Sequence, residues 1–303
     1  MAGFRIIYLT MVMIPLLQST LDAQGLSWRD ILKRLENDRP QPNFVYSYAS
    51  DDSLQYGELW LPEHGASHPV IVLIHGGCWL DQYPGAELVY YIADDLRSRG
   101  YAVWNLEYRR IGYPGSGYPG TFLDVARGMD YLQTIAGKHR LDLNRIVTMG
   151  HSAGGHLALW LAMRKNIPAS SPLYRKDPLP VKNVISLAGI GDLAYFSHFG
   201  APACGDNTVE ELIDWSNRGK EAALEDTSPD HLLPFDGKQY LIHGVFDAAV
   251  PPFIGLQYNE KSKAKNQESE LIIIPDSGHF EIIVPWSDAW KKILPLVKEA
   301  MRS

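Results

Sequence analysis

From Pro69 onward the chain alternates short, continuous apolar runs with stretches of helical periodicity. The runs are Val70–Ile74, Ala102–Leu106, Arg145–Met149, Val184–Ala188, Gln239–His243 and Leu271–Ile274. Unbroken β-branched segments of this length suit parallel strands covered on both faces, where no solvent-facing side calls for polar alternation. Between and after them, apolar residues recur at helical spacing around Glu87–Ser98, Phe122–Ala136, Ser152–Arg164, Phe253–Lys265 and Ser287–Ala300. This alternation predicts an α/β fold, a mostly parallel, doubly wound sheet with helices on both faces. Ahead of it, "SWRDILKRLEN" sets Trp28, Ile31, Leu32 and Leu35 on one helical face, and Pro40 and Pro42 stop the helix. "FVYSYAS" and "QYGELWLP", on either side of "DDSL", read as an antiparallel hairpin. Two stretches break the rhythm: "RRIGYPGSGYPG" and a longer one near residues 190–233. Insertions of that length are usually functional loops, so the second is expected to be lid-like.

The first residues have a different character. One Arg, an apolar stretch from Ile6 to Leu17 and a small-residue exit at Leu21-Asp22-Ala23 form the layout of a secretory signal peptide. The apolar stretch is short for a membrane span. Residues 1–23 are therefore set aside as a leader, no membrane span is expected after its removal, and the protein is expected to be secreted or periplasmic. Residues 24–303 show no internal repeat, low-complexity tract or linker and read as a single catalytic domain.

Of the 303 residues 46% are hydrophobic, enough for one large core, and the net charge of -7 offers no basic stripe for nucleic acid or an anionic membrane surface. Cys78 and Cys204 are the two cysteines; their distance in sequence leaves pairing open, and free thiols are the expectation. The ten histidines are scattered without metal-ligand spacing, so no metal and no cofactor is expected.

The chemistry concentrates around "RIVTMGHSAGGHLALWLA". Gly150-His151-Ser152-Ala153-Gly154 matches G-x-S-x-G between a buried strand and an apolar helix, the setting of a nucleophile elbow. A serine needs a base to take its proton and a carboxylate to orient that base. Asp247 follows the run Gln239–His243 and His279 follows Leu271–Ile274, so both sit beyond strand ends, where sites assemble in open α/β sheets. Asp192 is a rival acid. Asp247 is preferred because one helix and one strand separate it from His279, as adjacent positions require. An oxyanion needs backbone donors, and "HGGCW" leaves the run Val70–Ile74 directly. Gly76, Gly77 and Ala153 are the expected oxyanion-hole residues. His75 reads as fixing that loop, His151 and His156 as packing or pocket-edge residues, and Arg109 and Asp124 as a structural pair. Trp79, Tyr83, Tyr113, Tyr118, Phe196 and Trp215 are candidates for an aromatic pocket, with ordinary packing the alternative for each.

On these motifs the chain resembles the α/β-hydrolase superfamily. "HGGCW" and "GHSAGGHLA" are similar to the branch that holds hormone-sensitive-lipase-like carboxylesterases and kynurenine formamidases. The resemblance runs from about Tyr46 to the C-terminus. It implies the α/β-hydrolase fold, Ser152 as nucleophile, Asp247 as acid and His279 as base. It also implies a serine esterase acting on a small-molecule ester, short acyl or aryl, with acetyl or feruloyl esters among the candidates. Arylformamidase activity is the alternative, and a non-catalytic ligand-binding receptor on the same fold ranks below both.

Overall fold

The computed structural model describes residues 25–50, 52–199 and 201–302. The expected leader, residues 1–23, lies outside the described residues. Among the described residues eight strands form one sheet: β1 (Phe44–Ser47), β2 (Tyr56–Trp60), β3 (His68–Ile74), β4 (Ala102–Leu106), β5 (Leu141–His151), β6 (Asn183–Leu187), β7 (Lys238–Gly244) and β8 (Ser269–Ile274). Their order is β1-β2-β4-β3-β5-β6-β7-β8. The expected hairpin pairs β1 with β2 antiparallel, and β2 pairs antiparallel with β4. Every pair from β4 to β8 is parallel. Parallel strands need crossovers, and the helices supply them.

The six apolar runs are the six parallel strands, and β4 keeps its expected limits. β5 is longer than its apolar run because Leu141 and Asp142 also pair, with His68 and Pro69, across a register shift. Helices α1 (Trp28–Leu35), α2 (Tyr90–Ser98), α3 (Gly120–His139) and α4 (Ala153–Ala162) follow the predicted periodicity. The helix expected from Glu87 opens as a 3-10 turn, Ala86–Val89, before α2. α4 lies over the middle strands and buries Ala153 to Leu161 without interruption, as a helix apolar all round must.

The insertion is a chain of short helices: α5 (Leu193–Phe199), α6 (Ala201–Cys204), α7 (Thr208–Ile213), α8 (Trp215–Arg218), α9 (Lys220–Thr227) and α10 (Pro229–Leu232). Two longer helices, α11 (Pro252–Ala264) and α12 (Asp288–Ala300), complete the crossovers. The insertion is pinned to the body at Asp226, which accepts from Arg218 at 2.7 Å, Tyr118 at 3.0 Å and Ser171 at 2.5 Å.

The expectation of free thiols is overturned. Cys78 and Cys204 form a disulfide across 126 residues of sequence, with their Cα atoms 5.4 Å apart. Sequence separation carries no information on that distance. Folding the insertion back over the "HGGCW" loop brings α6 against Cys78.

Candidate active site

β5 ends at His151 and α4 begins at Ala153, so Ser152 alone makes the turn. It does so at φ 55 and ψ -121, outside the regions an L-residue prefers. Such a backbone costs about 1–3 kcal/mol and persists only where its surroundings fix it. Here the Ser152 N–H donates to the Leu187 carbonyl at 2.8 Å, tying the turn to β6. The flanking glycines are required by close backbone approach. A Cβ on Gly150 would lie 2.0 Å from the Gly154 carbonyl oxygen, and one on Gly154 2.2 Å from that of Ile74. The helix can therefore start this tightly only with glycine on both sides of the serine.

Asp247 and His279 come together from the loops after β7 and β8. His279 Nδ1–H donates to Asp247 Oδ2 at 2.7 Å, and the buried Asp247 accepts two further N–H groups, of Ala249 and Val250, on Oδ1 at 2.8 Å each. The carboxylate is thereby held in one orientation and fixes the proton of a neutral imidazole on Nδ1, leaving the lone pair on Nε2. Asp192 is elsewhere, accepting from Lys261 at 2.6 Å and Gln257 at 2.9 Å.

His151 has a contact the sequence does not signal. Its Nε2–H donates to the His279 backbone carbonyl at 2.9 Å, and the two rings lie 4.4 Å apart. Burial, with the neighbouring His279 adding to it, pushes the His151 pKa well below the usual imidazole range. A neutral ring with its proton on Nε2 fits this donation.

The loop after β3 passes close over the serine. A Cβ on Gly76 would sit 3.1 Å from the Ser152 Cβ, and Gly77 holds φ 106. His75 Nδ1–H donates to the Gly76 carbonyl at 2.8 Å, while its Nε2 meets Glu107 at 3.0 Å. Because the peptide is planar and trans, a carbonyl held toward His75 turns the Gly77 N–H the other way. Burial opposes the charge on Glu107, yet His75 and Arg110 hold its carboxyl below the usual range. Ala153 is the first residue of α4, so its N–H has no partner within the helix and sits at the positive end of the helix dipole.

Ser152, His279, His151, Gly77, Tyr83 and Trp28 line one cavity of about 180 Å³, and Gly76, Ala153 and Asp247 lie behind its wall. Cys78, Ala203 and Cys204 also line it, so the disulfide forms part of the wall. Of the six aromatic candidates only Tyr83 reaches it. Trp79 and Phe196 are packed in the core, and Tyr118 is bound to Asp226. Trp28 and Phe280 escaped the sequence reading: Trp28 lies in a helix whose periodicity signalled only packing. His156 is structural, donating to the Thr227 carbonyl at 2.9 Å, and Arg109 and Asp124 form a bidentate pair at 2.7 and 2.8 Å. No group of His, Cys, Asp or Glu among the described residues could hold a metal ion.

The BD-FAE family model matches residues 58–261, about two-thirds of the chain. The chain belongs to the BD-FAE family. The BD-FAE match contains Ser152, Asp247 and the "HGGCW" loop and ends before His279. Among curated relatives, the probable carboxylic ester hydrolase LipM of Mycobacterium tuberculosis is 22% identical over 67% of this chain and 49% of its own length. Kynurenine formamidase avaC of Aspergillus versicolor is 34% identical over 41% of this chain and 44% of its own. The chain thus spans about half the length of these relatives. The crystal structure of Esterase B from Lactobacillus Rhamnosis superposes with a TM-score of 0.73 at 21% identity, covering 88% of this chain and 89% of that one. With the sheet order above, that likeness establishes the α/β-hydrolase fold.

Proposed function

We propose that this protein is a serine hydrolase of carboxylic esters. Ser152 Oγ attacks the ester carbonyl while His279 Nε2 takes its proton, and Asp247 holds the resulting imidazolium. The N–H groups of Gly76, Gly77 and Ala153 receive the tetrahedral oxyanion. Collapse breaks the bond to the alkoxy group, which leaves as the alcohol with the proton from His279. Water, deprotonated by His279, then releases the acid from the acyl-enzyme. The observation that carries this reading is that His279, oriented by Asp247, lines the same cavity as the strained Ser152.

Cavity size narrows the substrate. An engineered apolar cavity of about 150 Å³ admits benzene, so about 180 Å³ holds a short acyl group or a single aromatic ring. Acetyl and feruloyl esters of plant polysaccharide are the candidates in keeping with export. Export itself is supported by the leader pattern and by the Cys78–Cys204 disulfide, since such bonds persist in oxidising compartments. A second reading, arylformamide hydrolysis, is favoured by "HGGCW" and by the match to avaC.

The test compares wild type with Ser152→Ala. Rates are measured on p-nitrophenyl acetate, p-nitrophenyl butyrate and N-formylkynurenine, together with labelling by a fluorophosphonate. Turnover and labelling should both vanish in the variant. Formamide turnover far above ester turnover would select the second reading, and a Ser152→Ala protein of full activity would sink both.

A further inference from the structure

We infer that Trp28, on the amino-terminal helix α1, sets the size of the substrate group held beside Ser152. The inference rests on the ester-hydrolase reading and adds its selectivity. Trp28 lines the same cavity as Ser152, Gly77 and His279, and its ring meets Tyr83 edge-on at 6.3 Å. Residue 28 lies before the matched family span of residues 58–261.

The wall is held at both ends. Glu281 accepts the Leu26 N–H on Oε1 at 2.6 Å and the Gly278 N–H on Oε2 at 3.0 Å, so one carboxylate joins the start of α1 to the loop that carries His279. A capping box between Ser27 and Asp30 opens the helix. Ile31 and Leu35 are buried in the core, and the Arg34 guanidinium lies 3.9 Å over the Trp286 ring. An indole fixed in this way closes the cavity against longer groups. Glu281 is the positioning residue that keeps it there.

The full chain is tested as wild type, Trp28→Ala, Trp28→Phe and Glu281→Gln, with circular dichroism as the check of folding. Two series are used: p-nitrophenyl esters from acetate to decanoate, and acetate esters of alcohols of increasing size. In Trp28→Ala the kcat/KM ratio of the longest to the shortest member should rise about tenfold in at least one series, since each methylene accepted or refused by a pocket changes that ratio severalfold or more. Trp28→Phe should give a smaller rise, and Glu281→Gln a rise in the same series. If Trp28→Ala does not fold, Trp28→Phe and Glu281→Gln decide. A folded variant set with unchanged ratios in both series, beside an active wild type, overturns this inference alone. Wild type inert toward every ester overturns the underlying reading with it.

Discussion

Ser152 and Asp247 solve different problems with different means. The first reaches the cavity wall at a bent backbone of φ 55; the second gives up all freedom, accepting two backbone N–H groups and one imidazole N–H. Asp247→Asn should therefore leave the fold intact and lower kcat on p-nitrophenyl acetate by about 10⁴, because the amide admits the wrong imidazole tautomer. His151 acts one step back. Its bond to the His279 carbonyl holds the loop rather than the reacting ring. His151→Ala should lower kcat about tenfold, within the general cost of slack around a positioned group, and His151→Gln, whose amide can donate to the same carbonyl, should recover part of it. Single-turnover kinetics reads both. The turn at Ser152 and the meeting of Asp247 with His279 were legible because each residue follows a recognisable strand. The role of His151 was not, because its partner lies 128 residues away.

At the scale of elements, the approach of α4 to β3 and the tie between α6 and the "HGGCW" loop govern the site. Gly154→Ala would place its Cβ 2.2 and 2.4 Å from the carbonyl oxygens of Ile74 and His75. Backbone cannot yield as a flexible side chain can, so this substitution should cost at least about 1–3 kcal/mol in a denaturant titration. The disulfide closes a loop of 126 residues, for which chain entropy gives a stabilisation of about 5 kcal/mol. Replacing Cys78 and Cys204 together by Ser should remove between about 2 and 5 kcal/mol and, because both residues line the cavity, also raise KM. An unchanged melting temperature would show that the insertion holds its place without the bond. Strands and long helices were readable from periodicity alone. In the insertion the amphipathic stretch "TVEELIDWSNRG" showed and became α7 and α8, whereas the division of the rest into short helices did not, since pieces of four residues carry too few turns to display a period.

For the molecule as a whole, buried histidines make stability depend on pH. Burial lowers the pKa of His156 and of His243 from 6.5 to about 4 in each case. The unfolded chain takes up these protons near pH 6.5, and the folded chain resists until about pH 4. Stability is therefore complete above about pH 6.5 and falls as the pH drops from there toward 4, by as much as about 3 kcal/mol per group. His151 acts in the same direction. Melting temperatures measured from pH 7.5 to 4.5 should show the decline. His156→Gln, which cannot titrate, should make it shallower, and an equal slope in both proteins would count against His156.

What the sequence determined by itself is whatever depends on neighbours along the chain. Continuous apolar runs dictated buried parallel strands, 3.6-residue periodicity dictated the crossover helices, and glycines around one serine dictated a turn too tight for any other residue. From these the sheet, the elbow and the order Ser152, Asp247, His279 could be read. The tertiary structure alone decided what depends on distance across the fold. It joined Cys78 to Cys204, set His151 under the His279 carbonyl, and brought Trp28 to the cavity through a carboxylate 255 residues from its Leu26 partner. The physical reason is range: backbone geometry and periodicity act over a few residues, whereas a packed interior brings together side chains whose separation in sequence carries no information about their separation in space.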